Sequence, residues 1–202
     1  MTNYITYEEI LMKKVIHLLS TLILFTSLHA EDKVISSGEV LINSKPITNK
    51  MVINLDDVIE TKKGANIRFN IGTDAFMAKE NSRFSVKKSG SAKTLDVISG
   101  GVLAVFKGKN HKVKTPNLTA GMRGTAIYTL VEDDKSYFCD CYGEVDVNHM
   151  DRHKKRVLKA THHNPIWVTK SDIKSANEMI GHTDKELRLL EAMVGRVPDF
   201  DR

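Results

Sequence analysis

Cysteine, proline and tryptophan are scarce in this chain: two, four and one in 202 residues. Two cysteines cannot make the dense disulfide framework of a small secreted scaffold, and a chain of this length does not need one. Aromatic residues make up only 6% and are not interleaved with basic ones, so nothing resembles a stacking surface for single-stranded nucleic acid. The longest basic run is Lys154-Lys155-Arg156. With a net charge of +5, the lysines and arginines read as a scattered solvated surface rather than a nucleic-acid patch. No Gly-x-Ser-x-Gly elbow is present. Gly121-Met-Arg-Gly124-Thr125 lacks the Lys-Ser/Thr ending of a phosphate loop and no helical pattern follows, so it reads as a tight turn that could present Arg123. The acidic pairs Asp56-Asp57 and Asp133-Asp134 sit beside turns, where local hydrogen bonding accounts for them. His111 has no evident nucleophile partner. The expectation is a protein that is not an enzyme.

Apolar runs are short. Val15 to Leu28 is the longest, below the roughly 20 residues of a comfortable membrane span. It follows Lys13-Lys14 and ends at His29-Ala30, before Glu31-Asp32. That layout reads as an export signal over 1–30, cleaved after Ala30, with Met12 as a possible true start. The expected location is the periplasm or another extracytoplasmic space. The alternative is an inner-membrane anchor formed by an uncleaved N-terminal helix, the one case in which membrane contact is expected.

An apolar content of 41% is enough for a core. From Val34 to Val147 it is distributed as short alternations separated by turn residues. Asn66–Ile71 puts Ile67, Phe69 and Ile71 on one face. Val40–Ile42, Met51–Leu55, Ser82–Val86, Thr94–Ile98, Val102–Phe106, His111–Thr115, Ala126–Val131, Ser136–Tyr142 and Glu144–Val147 follow the same style. The expected fold is mainly β, a sandwich or β-roll of short strands with one C-terminal α-helix. The β domain is placed at 34–147, a Lys/His-rich connecting segment at 148–182, and a helix and tail at 183–202. In the connecting segment only Ile166-Trp-Val168 shows a pattern, that of a strand or a docking segment. Thr183-Asp-Lys-Glu186 is a capping box. Leu187, Leu190, Met193 and Val194 share the following helical face, and Gly195 and Pro198 mark its end.

The order of several short pieces resembles the FecR domain of bacterial envelope regulators, over residues 36–147. They are Gly38-Glu-Val40, Lys45-Pro46-Ile47, Asp57-Val-Ile-Glu-Thr61 with Gly64, Phe69-Asn-Ile-Gly72 with Asp74-Ala75, Gly101–Phe106, Val113–Pro116, Gly124-Thr125 with Tyr128, and Gly143–Val147. The family commonly has Gly-Asp where Asp56-Asp57 stands. Better-known members carry a cytoplasmic tail and a membrane span ahead of this domain and signal to a sigma factor. The resemblance implies a β fold, an envelope setting, and a sensing or scaffold role exercised on an envelope protein or glycan.

The remaining chemistry lies in Cys139 and Cys141. Two apart on a strand, they share a face with α-carbons about 6.5 Å apart. Parallel side-chain directions disfavour a relaxed disulfide between them unless the strand is bulged or bent. Two thiolates facing one way can share a soft metal with imidazoles. Candidate ligands are Cys139, Cys141, His162, His163 and His182, and the candidate metals are zinc, copper or iron. In extended chain His162 and His163 point oppositely, so one of them would meet the thiols. The same residues also read as inert buried thiols with surface histidines, or as a redox pair.

Overall fold

A computed structural model describes residues 33–48 and 51–202. The export-signal reading of residues 1–30 and the cleavage after Ala30 lie outside the described residues. No helix among the described residues is long and apolar enough to cross a membrane.

Among the described residues, fifteen strands form two layers. In chain order they are β1 (Val34–Ser37), β2 (Val40–Ile42), β3 (Lys45–Pro46), β4 (Val58–Thr61), β5 (Asn66–Ile71), β6 (Asp74–Ala78), β7 (Arg83–Ser89) and β8 (Ala92–Val105). They continue with β9 (Lys109–Lys114), β10 (Leu118–Arg123), β11 (Ala126–Glu132), β12 (Lys135–His149), β13 (Lys155–Ala160), β14 (Asn164–Thr169) and β15 (Ile173–Ser175). An α-helix, α1 (Asp184–Met193), follows. The first sheet runs β1-β5-β6-β8-β11-β12-β14-β15, all antiparallel. The second runs β3-β2-β4-β7-β8-β9-β10-β12-β13, antiparallel except for β8 and β9.

β8 and β12 belong to both sheets. Ala92–Ser99 pairs with β7 in the second sheet, while Gly100–Val105 pairs with β11 in the first. Lys135–Tyr142 pairs with β11 in the first sheet and Gly143–Asn148 with β13 in the second. Each strand therefore turns a corner at a glycine. Gly100 (φ 75°) and Gly143 (φ 106°) both occupy the left-handed region that a side chain disfavours. A Cβ on Gly143 would also lie 3.0 Å from the Gly124 carbonyl oxygen. The sequence pattern splits each of these strands in two at the same place. The structure keeps each as one long bent strand.

The mainly β expectation holds, with two differences of extent. The sheets do not stop at Val147: β13, β14 and β15 continue them through the Lys/His-rich segment. Met51–Leu55 alternates but forms no strand, although Ile53 is buried in the core.

Alternation along the first sheet divides the apolar residues between two clusters. Phe76, Ala104, Ile127, Phe138 and Ile166 face the second sheet. Ala75, Met77, Leu103, Val105, Tyr128, Tyr137 and Cys139 face outward, where Leu187 and Leu190 of α1 cover them. Thr183 caps α1, accepting from the Glu186 N–H at 3.3 Å. Glu186 pairs with Lys79 of the sheet layer. Near the helix end the buried Glu191 accepts from the Arg196 Nε at 2.6 Å and from the Tyr142 hydroxyl. The C-terminal arm is thus held at both ends of its helix.

Candidate metal centre

Cys139 and Cys141 lie on β12 immediately before its bend. Between β11 and β12 the register slips by one residue, pairing Ala126 with Tyr142 and Ile127 with Asp140. Cys141 is the extra residue of this β-bulge. Cys139 and Cys141 remain on the outer face, both fully buried. Asp140 points the other way, also buried. One of its oxygens accepts from Thr125 Oγ1 at 3.0 Å and the other has no partner, and burial pushes its carboxyl up to about 7.

The bend also delivers the first histidine. β13 pairs with the second-sheet half of β12 and β14 with the first-sheet half, so the turn between them crosses the corner. His163 sits on that turn with φ 52°, its N–H donating to the Cys141 carbonyl at 3.0 Å. The second histidine precedes α1. Gly181 (φ 74°) lets the chain pass over Tyr128; a Cβ there would fall 2.2 Å from the phenol oxygen. His182 then stacks on the Tyr128 ring, centroids 4.5 Å apart at 20°.

Four potential ligand atoms converge: Cys139 Sγ, Cys141 Sγ, His163 Nδ1 and His182 Nε2, all within 4.8 Å of one another. His163 Nδ1 is 3.5 Å from Cys139 Sγ, His182 Nε2 is 3.4 Å from Cys141 Sγ, and the two nitrogens are 3.4 Å apart. A tetrahedral ion with metal–sulfur bonds of about 2.3 Å and metal–nitrogen bonds of about 2.0–2.1 Å has S···N edges of about 3.6 Å and N···N edges of about 3.3–3.4 Å. The residues present therefore fit such an ion.

Tautomers fit as well. His182 Nδ1 lies 2.9 Å from the Ile180 carbonyl oxygen, which can only accept, so Nδ1 carries the proton and Nε2 offers its lone pair. His163 Nε2 lies 2.8 Å from an Asp184 carboxylate oxygen, which leaves Nδ1 as its donor atom. A ligating imidazole is commonly anchored through its other nitrogen in this way. Asp184 is also in the first turn of α1, where the helix dipole favours a negative charge.

The two thiols differ in electrostatics. Cys139 is driven toward thiolate chiefly by a hydrogen bond from Cys141, with the two imidazoles adding to it, against the cost of burial. Burial pushes the Cys141 thiol well up. For His163, burial opposes the charged form, but hydrogen bonds with Cys139 and Asp184 together raise it. The surroundings thus favour the thiolate at Cys139 and the charged form of His163. A divalent ion with two thiolates is net neutral, which suits a buried site.

His162 is brought near but outside the four. Its side chain is 48% exposed, Nε2 lies 3.0 Å from Asp184, and the ring packs 4.5 Å from Phe200. Sequence reasoning singled out both cysteines and all three histidines but missed the supporting role of Asp184. The only signal for it was its place between the cap and glutamate of the capping box. Asp184→Asn should weaken zinc binding by about 10–100-fold while leaving the helix in place. Competition against a chromophoric chelator measures this, and an unchanged affinity would show that the carboxylate does not support His163. Elsewhere, Arg123 lies 3.7 Å from Glu144 and 3.6 Å from Asp146. His111 bonds to the Lys93 N–H and the Lys107 carbonyl.

No family model and no curated protein matches the chain. The described residues form a two-layer β domain with a docked helix, and a solved structure shares that fold. A crystal structure described as a "putative anti-sigma factor" from Parabacteroides distasonis ATCC 8503 aligns with a TM-score of 0.52 at 13% identity, over 66% of this chain and 64% of that one. A second structure so described, from the same organism, aligns at a TM-score of 0.42 and 13% identity over 79% of this chain and 65% of that one. The chain thus spans just under two thirds of the length of either.

Proposed function

We propose that this chain is a non-enzymatic sensing or scaffold domain of the FecR type, set in the bacterial envelope, whose C-terminal arm is fixed by one bound zinc ion. The observation that carries the metal reading is the convergence of two thiols and two imidazoles with each imidazole anchored through its other nitrogen. Zinc is favoured among the candidates because the set is S₂N₂, buried and closed, the pattern of structural zinc. A two-iron cluster would put its cysteines and histidines on different irons, farther apart than the 3.4–3.5 Å S···N separations here. The regulatory reading is supported by the ordered FecR-like pieces of the sequence and by the likeness in fold to a structure described as a "putative anti-sigma factor". Its partner would be an envelope protein or glycan.

In this reading the ion does no chemistry on a substrate. It ties β12, the β13–β14 turn and the start of α1 into one unit. Purified, untagged full chain should contain one equivalent of zinc, and Cys139→Ser/Cys141→Ser none. Zinc should be released as pH falls, because protons compete for both thiols and both imidazoles. Elemental analysis for zinc, copper and iron across a pH series decides it. Equal metal content in wild type and double variant would remove the metal reading and leave the contact function alone.

A further inference from the structure

The four ligand atoms are enclosed, so an ion needs a route to them. Cys139 and Cys141 are fully buried and His182 is 4% exposed. His163 is more accessible, its side chain 10% exposed. Its outer nitrogen faces Asp184, and His162 lies against the same carboxylate, with Nε2 3.1 and 3.0 Å from the two oxygens. His162 Nε2, His163 Nε2 and the Asp184 carboxylate form a second cluster, also within 4.8 Å, that shares His163 with the first. An open groove of about 590 Å³ leads to it from solvent, lined in part by His162, Asp184, Asp199 and Asp201. Two of its three carboxylates are matched by guanidinium groups, Asp201 by Arg188 and Asp199 by Arg202. Asp184 forms its close pairs with the imidazoles of His162 and His163, while the groove's Arg188 is bound to Asp201, so Asp184 is the carboxylate left to attract a cation.

We infer that His162 and Asp184 form an outer capture site for a divalent transition-metal ion, which feeds the buried Cys139–Cys141–His163–His182 centre. This rests on the metal reading above. The donor set is one imidazole and one carboxylate with room for water, a borderline set suited to an ion that must move on. The two clusters cannot both use the lone pair of one neutral His163 ring. When the inner centre takes Nδ1, Nε2 keeps its proton on Asp184, and the outer site is left with His162 and the carboxylate. Occupation of the inner centre thus weakens the outer one, which gives transfer a direction.

A capture site lowers the barrier in both directions and leaves the end states alone, so rates should change without affinity. The test is stopped-flow mixing of chelator-stripped full chain with cobalt(II), read by thiolate-to-metal charge-transfer absorption, which appears only when the ion reaches the cysteines. His162→Ala and His162→Gln should load at least about tenfold more slowly, the low end of what a focusing cleft adds to an on-rate. Release should slow by the same factor and the equilibrium affinity should not change. His153→Ala, an exposed histidine on another loop, should load like wild type. Wild-type loading rates in both His162 variants would overturn the capture site and leave the metal reading standing. Loss of affinity at an unchanged loading rate would also overturn it, making His162 a support of the inner centre. A wild type that never develops the thiolate band would remove the metal reading itself.

Discussion

Chelator-stripped full chain should melt about 8–16 °C below the zinc-loaded protein. An ion bound only by the folded state adds about 4 kcal/mol when free metal is a thousandfold above its dissociation constant. Each kcal/mol moves the midpoint by about 2–4 °C in a domain of this size. The site suits this test because its ligands come from three places far apart in the chain: a strand, a turn and a helix start. The unfolded chain keeps only Cys139 and Cys141 close together, so it binds metal poorly and the linkage is nearly complete. The loss should be local before it is global. His182 is the ligand that joins the arm to the sheet, so amide exchange should accelerate first over residues 177–194. The Cys139→Ser/Cys141→Ser variant should melt like stripped protein and ignore added zinc. Coincident melting curves for wild type with and without zinc would show that the arm is held by packing alone.

The strands legible in the sequence were those with one apolar face. Asn66–Ile71 matches β5 residue for residue, because Ile67 and Phe69 are fully buried while Asn66 is exposed and Arg68 half-buried. β13 and β15 were hidden by their exposure. Lys155, Val157 and Lys159 all face solvent on the sheet edge, so their alternation carries no hydrophobic signal. The corners of β8 and β12 were hidden for a different reason: a glycine that ends one strand and begins another looks the same in sequence as one that bends a single strand. Half of the candidate site was legible. Period-two alternation placed Cys139 and Cys141 on one face. The choice between His162 and His163 was not, because it depends on the positive φ of His163 where the chain crosses the corner of β12. The roles of Asp184 and the Ile180 carbonyl follow from a turn preceding α1 that no periodicity encodes.

Leu187→Asp should cost about 3–5 kcal/mol, because it puts an unpaired carboxylate where the wild-type side chain is fully buried. Leu187 belongs with Leu190 to the cluster formed with Ala75, Met77, Leu103 and Val105 on the outer face of the first sheet. These sheet residues offer a carboxylate no donor, and the nearest helical neighbours in sequence, Glu186 and Arg188, are committed to Lys79 and Asp201. Leu189→Asp is the matched control. It makes the same change two positions along the helix at a residue 39% exposed, and should move stability by no more than about 0.5 kcal/mol. The pair separates loss of helix propensity, which both share, from loss of packing, which only Leu187→Asp suffers. Because Leu187 lies five residues after His182, undocking the helix should also loosen that ligand and speed zinc release, whereas Leu189→Asp should leave the release rate alone. Denaturant melts and zinc-release kinetics on the two variants provide the comparison. Equal midpoints and equal release rates would mean that α1 is not packed on the sheet and does not hold His182 in place.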